Sequence, residues 1–188
     1  IGEFAFYLCY NLTSLSIPNS VTEIGDCAFL GVDLLDSQED GLVYIGRVVL
    51  YKGSMPEDTE ITIKEGTKGI ASSAFSGCTG LTSIIIPNSV ESIGNNAFRD
   101  CTGLTSITLP NNIKNISGNS FYGCNQLTSI ISEVEDPSTI SHYSAYDASS
   151  YTTPSNAFSG LADACQLTVP YGTRDAYIAA GWTEEIFK

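Results

Sequence analysis

Short segments in which apolar and polar residues alternate recur along the chain. One of them, Leu104-Thr-Ser-Ile107-Thr-Leu109, ends with the two-residue period that is typical of a strand with one buried face. Pro110 follows it, and because proline lacks the N–H that strand pairing needs, the strand is expected to end there in a Pro-Asn turn. The pattern therefore predicts one short strand per segment, closed by a turn. The same proline closes three further segments, at Pro18, Pro87 and Pro170.

The residues before each strand follow a different spacing. Ile93, Ala97, Phe98, Cys101 and Leu104 lie at steps of three and four residues, with the Ala and Phe adjacent. This spacing is typical of a helical turn that places Ala, Phe and Cys on one buried face. Each segment is therefore predicted to contain a strand, a turn and a short helical or 3-10 return.

The whole unit is repeated along the chain. Pairs of Ala-Phe or Ser-Phe end at Phe6, Phe29, Phe75, Phe98 and Phe121, so that successive phenylalanines are 23, 46, 23 and 23 residues apart. The 46-residue step from Phe29 to Phe75 equals two periods, so the register of the repeat is maintained through a stretch in which the motif is not recognisable. A unit of this size cannot bury its apolar face alone and has to stack on its neighbours. The sequence therefore predicts an α/β repeat protein, a right-handed solenoid whose strands form a parallel sheet.

Three segments depart from the period. Residues 32–69 keep the length of two repeats and contain two strands around Gly46, so an irregular double repeat with a hairpin is expected. Residues 133–155 form an insertion rich in tyrosine and serine. Residues 156–188 hold a last repeat and an amphipathic helix, which is expected to cap the end of the core. The chain is thus predicted to be one solenoid domain over 1–188, with regular repeats at 1–31 and 70–132.

The repeat sequence resembles a known family. Leu12-Thr-Ser-Leu15-Ser-Ile17 fits the strand pattern of leucine-rich repeats, and the longer pattern Ile-Gly-x-x-Ala-Phe-x-x-Cys-x-x-Leu-Thr-Ser-Ile is similar to the BspA-like leucine-rich repeats of bacterial surface proteins. The resemblance covers roughly half of the chain. It implies a curved leucine-rich-repeat solenoid that is displayed outside the cell. Some members of the family are similar to adhesins, which implies an extracellular partner such as a host matrix or plasma protein.

Composition and charge narrow the range of partners. The 188 residues carry a formal net charge of −13, and 43% of them are hydrophobic, which is enough to build a core. A surface this acidic repels phosphate groups, and no cluster of Lys and Arg offsets it, so neither nucleic acid nor an anionic membrane is expected as a partner. No apolar run is long enough to cross a bilayer. Because Ile1 falls inside a repeat, we expect a trimmed fragment whose signal or anchor sequence lies elsewhere. The family resemblance implies that the fragment is secreted or surface-bound, and a monomer is expected.

The residues that usually carry chemistry form no recognisable site. His142 is the only histidine, and no Cys-x-x-Cys pair occurs, so neither a catalytic triad nor a zinc site is expected, and no enzyme activity or cofactor is predicted. The acidic group of Asp33, Asp36, Glu39 and Asp40 lacks the spacing of a calcium loop, which favours a solvated turn. Free buried thiols are favoured over disulfides for the four cysteines that share one repeat position, which are Cys9, Cys78, Cys101 and Cys124.

Two places are candidates for a binding surface. The outward strand position holds Ile85, Thr108 and Ile131, a β-branched patch that is typical of a contact surface, although strands favour such residues in any case. The insertion carries tyrosines, which supply large contact area at low entropic cost, unless they serve to pack the loop onto the solenoid. These tyrosines are Tyr143, Tyr146 and Tyr151.

Two kinds of partner remain open. A flat face of Ile and Thr favours a protein, whereas a platform of tyrosines or Trp182 beside carboxylates favours a sugar ring. A non-catalytic module that binds protein is the leading hypothesis, and the insertion is expected to contribute more than the regular repeats. A carbohydrate-binding or nutrient-capture component is the alternative.

Overall fold

The computed structural model describes residues 1–36, 38–141, 143–144, 147–151, 157–161 and 164–182, with the backbone alone for residues 36, 143–144 and 147–151. Its strands and helices, in chain order, are α1 (Asp33–Asp36), β1 (Gly41–Ile45), β2 (Val48–Lys52), β3 (Thr59–Thr62), β4 (Gly69–Ile70), β5 (Leu81–Ile85), β6 (Ser92–Ile93), β7 (Ser106–Leu109), β8 (Asn115–Ile116), β9 (Ser129–Ser132), a 3-10 turn (Pro137–Thr139), β10 (Tyr143–Ser144), β11 (Asp147–Tyr151), β12 (Gln166–Thr168) and α2 (Arg174–Ala179).

Successive coils stack through parallel strands in two groups. The longer strands form two paired sets: β3 pairs with β5, and β9 pairs with both β7 and β12. The two sets meet where β5 lies beside β7, and together they are named the long-strand sheet. The short-strand sheet contains β4, β6 and β8, paired in that order. Inward side chains of both groups, such as Ile93 and Ile107, are buried in one core. The predicted parallel stacking is confirmed. The prediction of one strand per repeat is wrong, because a two-residue strand is too short to leave an alternating pattern.

The return between the two sheets is a series of turns. Asn96 and Asp100, which lie two residues before and after Phe98, adopt left-handed backbone with φ of 54° and 57°. A helix directs each N–H to the carbonyl four residues back, whereas the N–H of Phe98 donates to the carbonyl of Ser120 in the next coil at 2.7 Å. The N–H of Phe75 donates to the following coil in the same way. The predicted helical return is therefore wrong, since single turns, such as the one in which the N–H of Arg99 donates to the carbonyl of Asn96 at 3.1 Å, alternate with hydrogen bonds between coils.

Aromatic rings form a column through the core. Phe75, Phe98 and Phe121 are fully buried, and their rings stack 5.2 Å apart. Phe158 continues the column at 5.1 Å from Phe121. Where the motif fades in the sequence, Tyr51 takes the aromatic position, with its ring 6.1 Å from that of Phe75. The 46-residue step between Phe29 and Phe75 therefore contains one further aromatic position of the column, which is occupied by Tyr51.

A hairpin displaces part of the second coil from the short-strand sheet. The predicted hairpin around Gly46 is confirmed, since β1 and β2 pair antiparallel, β2 pairs in parallel with β4, and β1 forms the sheet edge. Residues 22–26, here named the strap, lie instead on the outer face of the sheet. There the Ser92 hydroxyl donates to the Thr22 carbonyl oxygen at 2.8 Å. A Cβ at Gly69 would lie 1.9 Å from that oxygen, so this glycine makes room for the strap.

The first coil lacks the strand that the sequence predicts. Leu12-Thr-Ser-Leu15-Ser-Ile17 forms no strand, although it nearly matches the sequence of β7. Phe6 still stacks on Phe29, with ring centroids 5.0 Å apart, so the aromatic contact survives where the strand pairing does not.

The chain after β12 folds against the last coils. The predicted helix is present as the six residues of α2, which bury Tyr177. The hydroxyl of Tyr177 lies 2.6 Å from the Ser132 hydroxyl and donates to the carbonyl oxygen of Val134 at 2.7 Å. Trp182 is fully buried with its ring 5.2 Å from that of Phe158. No helix within the described ranges is both long and apolar enough to span a bilayer.

All six cysteines are free thiols, and their exposure differs along the chain. Cys101 and Cys124 are fully buried, and each thiol donates to a backbone carbonyl at 3.0 Å. Burial raises the pKa of the half-buried Cys78 thiol to about 11. Cys9 is exposed. The prediction of buried thiols is therefore confirmed for Cys101 and Cys124 and wrong for the first coil.

Candidate contact surface

A row of β-branched side chains crosses the outer face of the long-strand sheet. The strand register places Thr62 opposite Ile85, Thr108 opposite Ile131, and Ile131 opposite Thr168. Because side chains alternate along a strand, these five point away from the core that their neighbours fill. The sequence identified three members of this row, and the fold adds a threonine at either end. The row is named the β-branched stripe below.

The stripe is open to solvent. The side chains of Ile85 and Ile131 are 60% and 41% exposed. Thr62 and Thr168 are also exposed, and Thr108 is half-buried. Strand pairing holds Thr62 beside Ile85, and holds Thr108, Ile131 and Thr168 beside one another, at the spacing of neighbouring strands, about 4.8 Å. An exposed apolar row with this fixed spacing has the properties of a contact surface.

A column of small polar residues runs beside the stripe on the same sheet. It is set by the same register, and only its first member is charged. Hydroxyl and amide groups at these positions offer hydrogen bonds next to the apolar row. The members are Glu60, Ser83, Ser106, Ser129 and Gln166.

The tyrosine-rich insertion contains a second hairpin. β10 and β11 pair antiparallel, with Tyr143 opposite Tyr151. His142 and Tyr146 lie outside the described residues, and only the backbone of the other two tyrosines is described. Ser141, at the base of the insertion, forms a parallel bridge to β8. The hairpin therefore leaves the solenoid at the last strand of the short-strand sheet.

Several exposed aromatic side chains lie outside the insertion, and the interpretation of the sequence missed them. Tyr171, just after β12, is fully exposed. Phe4 and Tyr7 form an edge-to-face pair on the first coil, with ring centroids 5.5 Å apart. Tyr122 lies beneath the guanidinium of Arg99, which is 5.1 Å from the ring centroid. Phe4 occupies a repeat position that is serine or asparagine in the regular coils, so a comparison of the repeats contained the signal.

Trp182 is not available to a sugar ring. Its ring packs 5.2 Å from Phe158 and 5.3 Å from Tyr177, and the residue has no exposed surface. The expectation of a Trp182 platform is therefore wrong. A Gly-Trp pair after a short helix leaves open in the sequence whether the ring faces solvent, and the fold turns it onto the last coil.

Acidic residues within the described ranges do not assemble into a metal site. In the ranges that the structure covers, no three His, Cys, Asp or Glu side chains are grouped so as to hold a metal ion. Asp33, Glu39 and Asp40 are exposed around α1. A cavity of about 310 Å³ lies between the strap and the short-strand sheet, with Glu3 and Asn95 among the residues that line it.

Comparisons with known proteins match the stacked coils. The family model described as the BspA type leucine rich repeat region matches residues 1–57 and 44–163, with six copies. A leucine rich cell surface protein from Faecalibacterium prausnitzii A2-165 is similar in structure with a TM-score of 0.53 and 20% sequence identity. That likeness covers 93% of this chain and 58% of the other. No curated protein sequence matches the chain.

Two further solved structures are similar at lower scores. The pneumococcal vaccine antigen PcpA has a TM-score of 0.47 and 22% identity, covering 64% of this chain and 33% of that one. A leucine rich repeat protein of T. pallidum has a TM-score of 0.45 and 21% identity, covering 73% of this chain and 64% of that one.

The family model and the fold agree on where the repeats lie. The matched residues include the first two coils, the hairpin, the regular coils and the coil that contains Phe158. The likeness to the F. prausnitzii structure shows the same fold, and this chain spans 58% of that protein's length. The chain belongs to the BspA-type leucine-rich repeat family.

Proposed function

We propose that the chain is a non-catalytic binding module, secreted or displayed at the cell surface, and that its partner is an extracellular protein such as a host matrix or plasma protein. The β-branched stripe is the main support, because it is an exposed apolar row without a charged member on a rigid sheet. Membership of the leucine-rich repeat family supports the same function, since solenoids use extended surfaces for binding. The similar F. prausnitzii protein is described as a cell surface protein, which supports the proposed location.

The physical properties of the stripe suit a protein partner. Ile and Thr are stiff at χ1, and the strands fix their backbone, so little conformational entropy remains to be lost on binding. Covering the exposed part of Ile85 and Ile131 contributes roughly 25 cal/mol per Å² of apolar surface. The polar column beside the stripe supplies hydrogen bonds at the rim of the same contact. Such an arrangement fits a flat protein surface better than a small ligand.

The insertion is proposed as a second part of the contact surface. Its tyrosines suit binding because tyrosine supplies large, rigid contact area. Insertions in solenoids also map to loops on one face, often the binding face. We expect this region to contribute more than the returns of the regular coils. The residues concerned are Tyr143, Tyr146 and Tyr151.

The C-terminal segment is proposed to cap the solenoid. Tyr177 and Trp182 cover the apolar end of the aromatic column at Phe158, where an open coil would expose its core. A terminal element of this kind keeps a repeat array soluble. The cap leaves the stripe uncovered and available to a partner.

The experiment is a binding screen against immobilised matrix and plasma proteins, run beside a glycan array. A double variant with Ile85→Ser and Ile131→Ser is expected to weaken binding to the partner by about tenfold or more, because truncation of a central contact residue costs about 2 kcal/mol. Leu30→Ser is the matched control, since Leu30 is 56% exposed and lies outside the stripe. Thermal melting of all variants should stay close to that of the parent chain.

A third variant separates the stripe from the insertion. Replacing all three insertion tyrosines with serine should lower affinity and leave melting unchanged. If the double isoleucine variant binds with unaltered affinity while the tyrosine variant loses affinity, the stripe is not part of the contact surface. A sharp drop in melting temperature of the tyrosine variant would show that the tyrosines pack the loop onto the solenoid.

A carbohydrate partner is the second candidate. The observation that favours it is the fully exposed ring of Tyr171 at the end of β12, since aromatic rings stack on sugars. Binding on the glycan array that is lost in Tyr171→Ser, together with no binding to any protein, would establish this alternative in place of the protein partner.

A further inference from the structure

Four of the eight Lys and Arg residues of this acidic chain lie along one edge of the solenoid. Backbone hydrogen bonds connect that edge from coil to coil. The N–H of Lys68 donates to the carbonyl of Arg47 at 2.6 Å, and the N–H of Lys114 donates to that of Glu91 at 2.8 Å. The N–H of Glu91 donates to Lys68 at 2.8 Å and completes the series. The sequence shows no basic cluster because these residues are far apart along the chain.

Two of the cations on this edge already share one carboxylate. The Glu91 carboxylate accepts hydrogen bonds from Lys68 and, at 2.6 Å, from Lys114. These bonds lower the pKa of the Glu91 carboxyl. By contrast, Arg47 and Lys64 form no ion pair with any residue in the described part of the chain. The half-buried Arg47 thus carries a positive charge that no ion pair in the described part of the chain neutralises.

Arg47 and Lys64 line the same pocket, which has a volume of about 210 Å³. It lies between the turn that joins β1 to β2 and the turn that follows β3. The Tyr44 hydroxyl lines it as well, and accepts the N–H of Lys64 at 3.0 Å, so that its own hydrogen is left to donate. The N–H of Gly66 donates to the Ser89 hydroxyl at 3.0 Å, which fixes the second turn. Residues with three different kinds of donor thus line one small pocket, in which Glu65 supplies the negative charge.

We propose that this pocket binds a carboxylate, and that the carboxylate is an Asp or Glu side chain of a protein partner. A guanidinium matches a carboxylate by two parallel N–H···O bonds. The Lys64 ammonium and the Tyr44 hydroxyl provide further donors to the same two oxygens. The negative charge of the whole chain repels polyanions such as nucleic acids, whereas a single carboxylate senses mainly the local positive charge.

The position of the pocket explains why a protein is the source of the carboxylate. Thr62 is the first member of the β-branched stripe, and Lys64 follows it by two residues, about 7 Å of extended chain. A protein surface that covers the stripe therefore reaches the pocket with an acidic residue at its rim. The source of the carboxylate rests on the proposed function, but the affinity of the pocket for a carboxylate does not.

The test is a titration of the ¹⁵N-labelled chain, followed by NMR at constant ionic strength set with sodium chloride. The probes are the capped tripeptide acetyl-Gly-Glu-Gly-amide, its Gln counterpart and glucuronate. The Glu peptide should shift the amide signals of Gly46, Arg47 and the turn over 64–67, and the Gln peptide should not. Arg47→Gln should weaken the affinity by about tenfold, since one charge-assisted contact is lost. Arg99→Gln is the matched control, because Arg99 already pairs with Asp100.

Each outcome decides the proposal. Shifts that are the same for the Glu and Gln peptides, or an affinity that is unchanged in Arg47→Gln, would overturn the carboxylate pocket. If glucuronate shifts these amide signals and the Glu peptide does not, the proposal that a protein side chain supplies the carboxylate would be overturned. The double variant of Ile85 and Ile131 should bind the Glu peptide like the parent, so failure of the stripe as a contact surface leaves this result intact. Unchanged melting of Arg47→Gln would exclude misfolding as the cause of a lost signal.

Discussion

Residues 1–32 and residues 70–132 carry nearly the same repeat sequence, yet they form different structures. In the second region each coil contributes a long strand and a short strand, and Phe98 and Leu104 are fully buried. In the first region no strand forms, and Phe6 and Leu12 are only half-buried. The sequence pattern is therefore a condition for the strand but does not suffice to produce it.

The difference lies in the neighbouring coil. A strand in a solenoid needs a second strand beside it, in register, because a single coil cannot satisfy its own backbone groups in this geometry. β7 has β5 on one side and β9 on the other. The second coil has no Leu-Thr-Ser segment, and α1 stands at that place, so residues 12–17 of the first coil have no strand to pair with. Strand formation is thus a property of adjacent coils rather than of one repeat.

The largest expected contrast between the two regions is in thiol reactivity. Cys9 and Cys27 are exposed, whereas Cys101 and Cys124 are fully buried in the regular coils. Labelling of a buried thiol needs local opening of the structure, which costs several kcal/mol. The two buried thiols should therefore react at least about a hundredfold more slowly than the two exposed ones. Alkylation with iodoacetamide at pH 8, followed by peptide mass spectrometry, measures both rates. Equal rates for Cys9 and Cys101 would remove the distinction between the regions.

The second contrast is energetic and concerns equivalent phenylalanines. Phe98 stacks between two rings in the core, so Phe98→Ala should lower the free energy of unfolding by about 3–5 kcal/mol. Phe6 is half-buried and stacks on Phe29, and Phe6→Ala should cost under about 2 kcal/mol. Urea unfolding of the two variants provides the measurement. A loss at Phe6 as large as that at Phe98 would mean that the first coil is packed like the array.

The third prediction concerns the contact that joins the two regions. A methyl group at Gly69 meets the Thr22 carbonyl oxygen, so Gly69→Ala should displace the strap and cost about 1–3 kcal/mol. Hydrogen exchange of residues 22–26 should then become faster while that of the regular coils stays unchanged. Gly2→Ala is the control, since a Cβ there meets no atom within 4 Å, and its effect should stay within about 0.5 kcal/mol. Slow exchange of the strap in Gly69→Ala would contradict its placement on the sheet.

The smallest expected effect comes from the ion pairs that link three coils. The hydrogen bonds from Lys114 and Lys68 lower the pKa of Glu91, so its carboxylate stabilises the fold at pH values above its unfolded pKa. This contribution is lost as the pH falls through the lower folded pKa. Glu91→Gln should therefore cost less than about 1 kcal/mol at pH 7, and less still near pH 3. Unfolding curves at both pH values test the sign, and a larger deficit at pH 3 would contradict it.

Much of the repeat architecture could be predicted from the sequence because it is written in local periodicity. The spacing of Phe6, Phe29, Phe75 and Phe98 located the aromatic column, and the alternation in Leu104-Thr-Ser-Ile107-Thr-Leu109 located a strand and its outward position. The helical return was predicted wrongly, because steps of three and four residues fit a helix and a series of turns equally well. What distinguishes them is the left-handed backbone at Asn96 and Asp100, which a hydrophobic pattern does not encode.

The candidate sites divide in the same way. Ile85, Thr108 and Ile131 could be placed on one face because a two-residue period determines which side chains point outward. The burial of Trp182 and the meeting of Arg47 with Lys64 depend on contacts between coils, and no local pattern signals them. The backbones of Tyr143 and Tyr151 pair in a hairpin that the composition of the insertion did not indicate.

A first group of features could be predicted from the sequence: the period, the aromatic and leucine positions, and the need for stacking, since a unit of 23 residues cannot bury its own apolar face. A second group became visible only in the folded chain: which coils gain strands, the place of the strap on the short-strand sheet, the burial of Trp182, and the edge that four cations share. The physical reason is that the first group depends on spacing within a repeat. The second depends on which coil lies beside it, and the hairpin of β1 and β2 changes that neighbour partway along the chain.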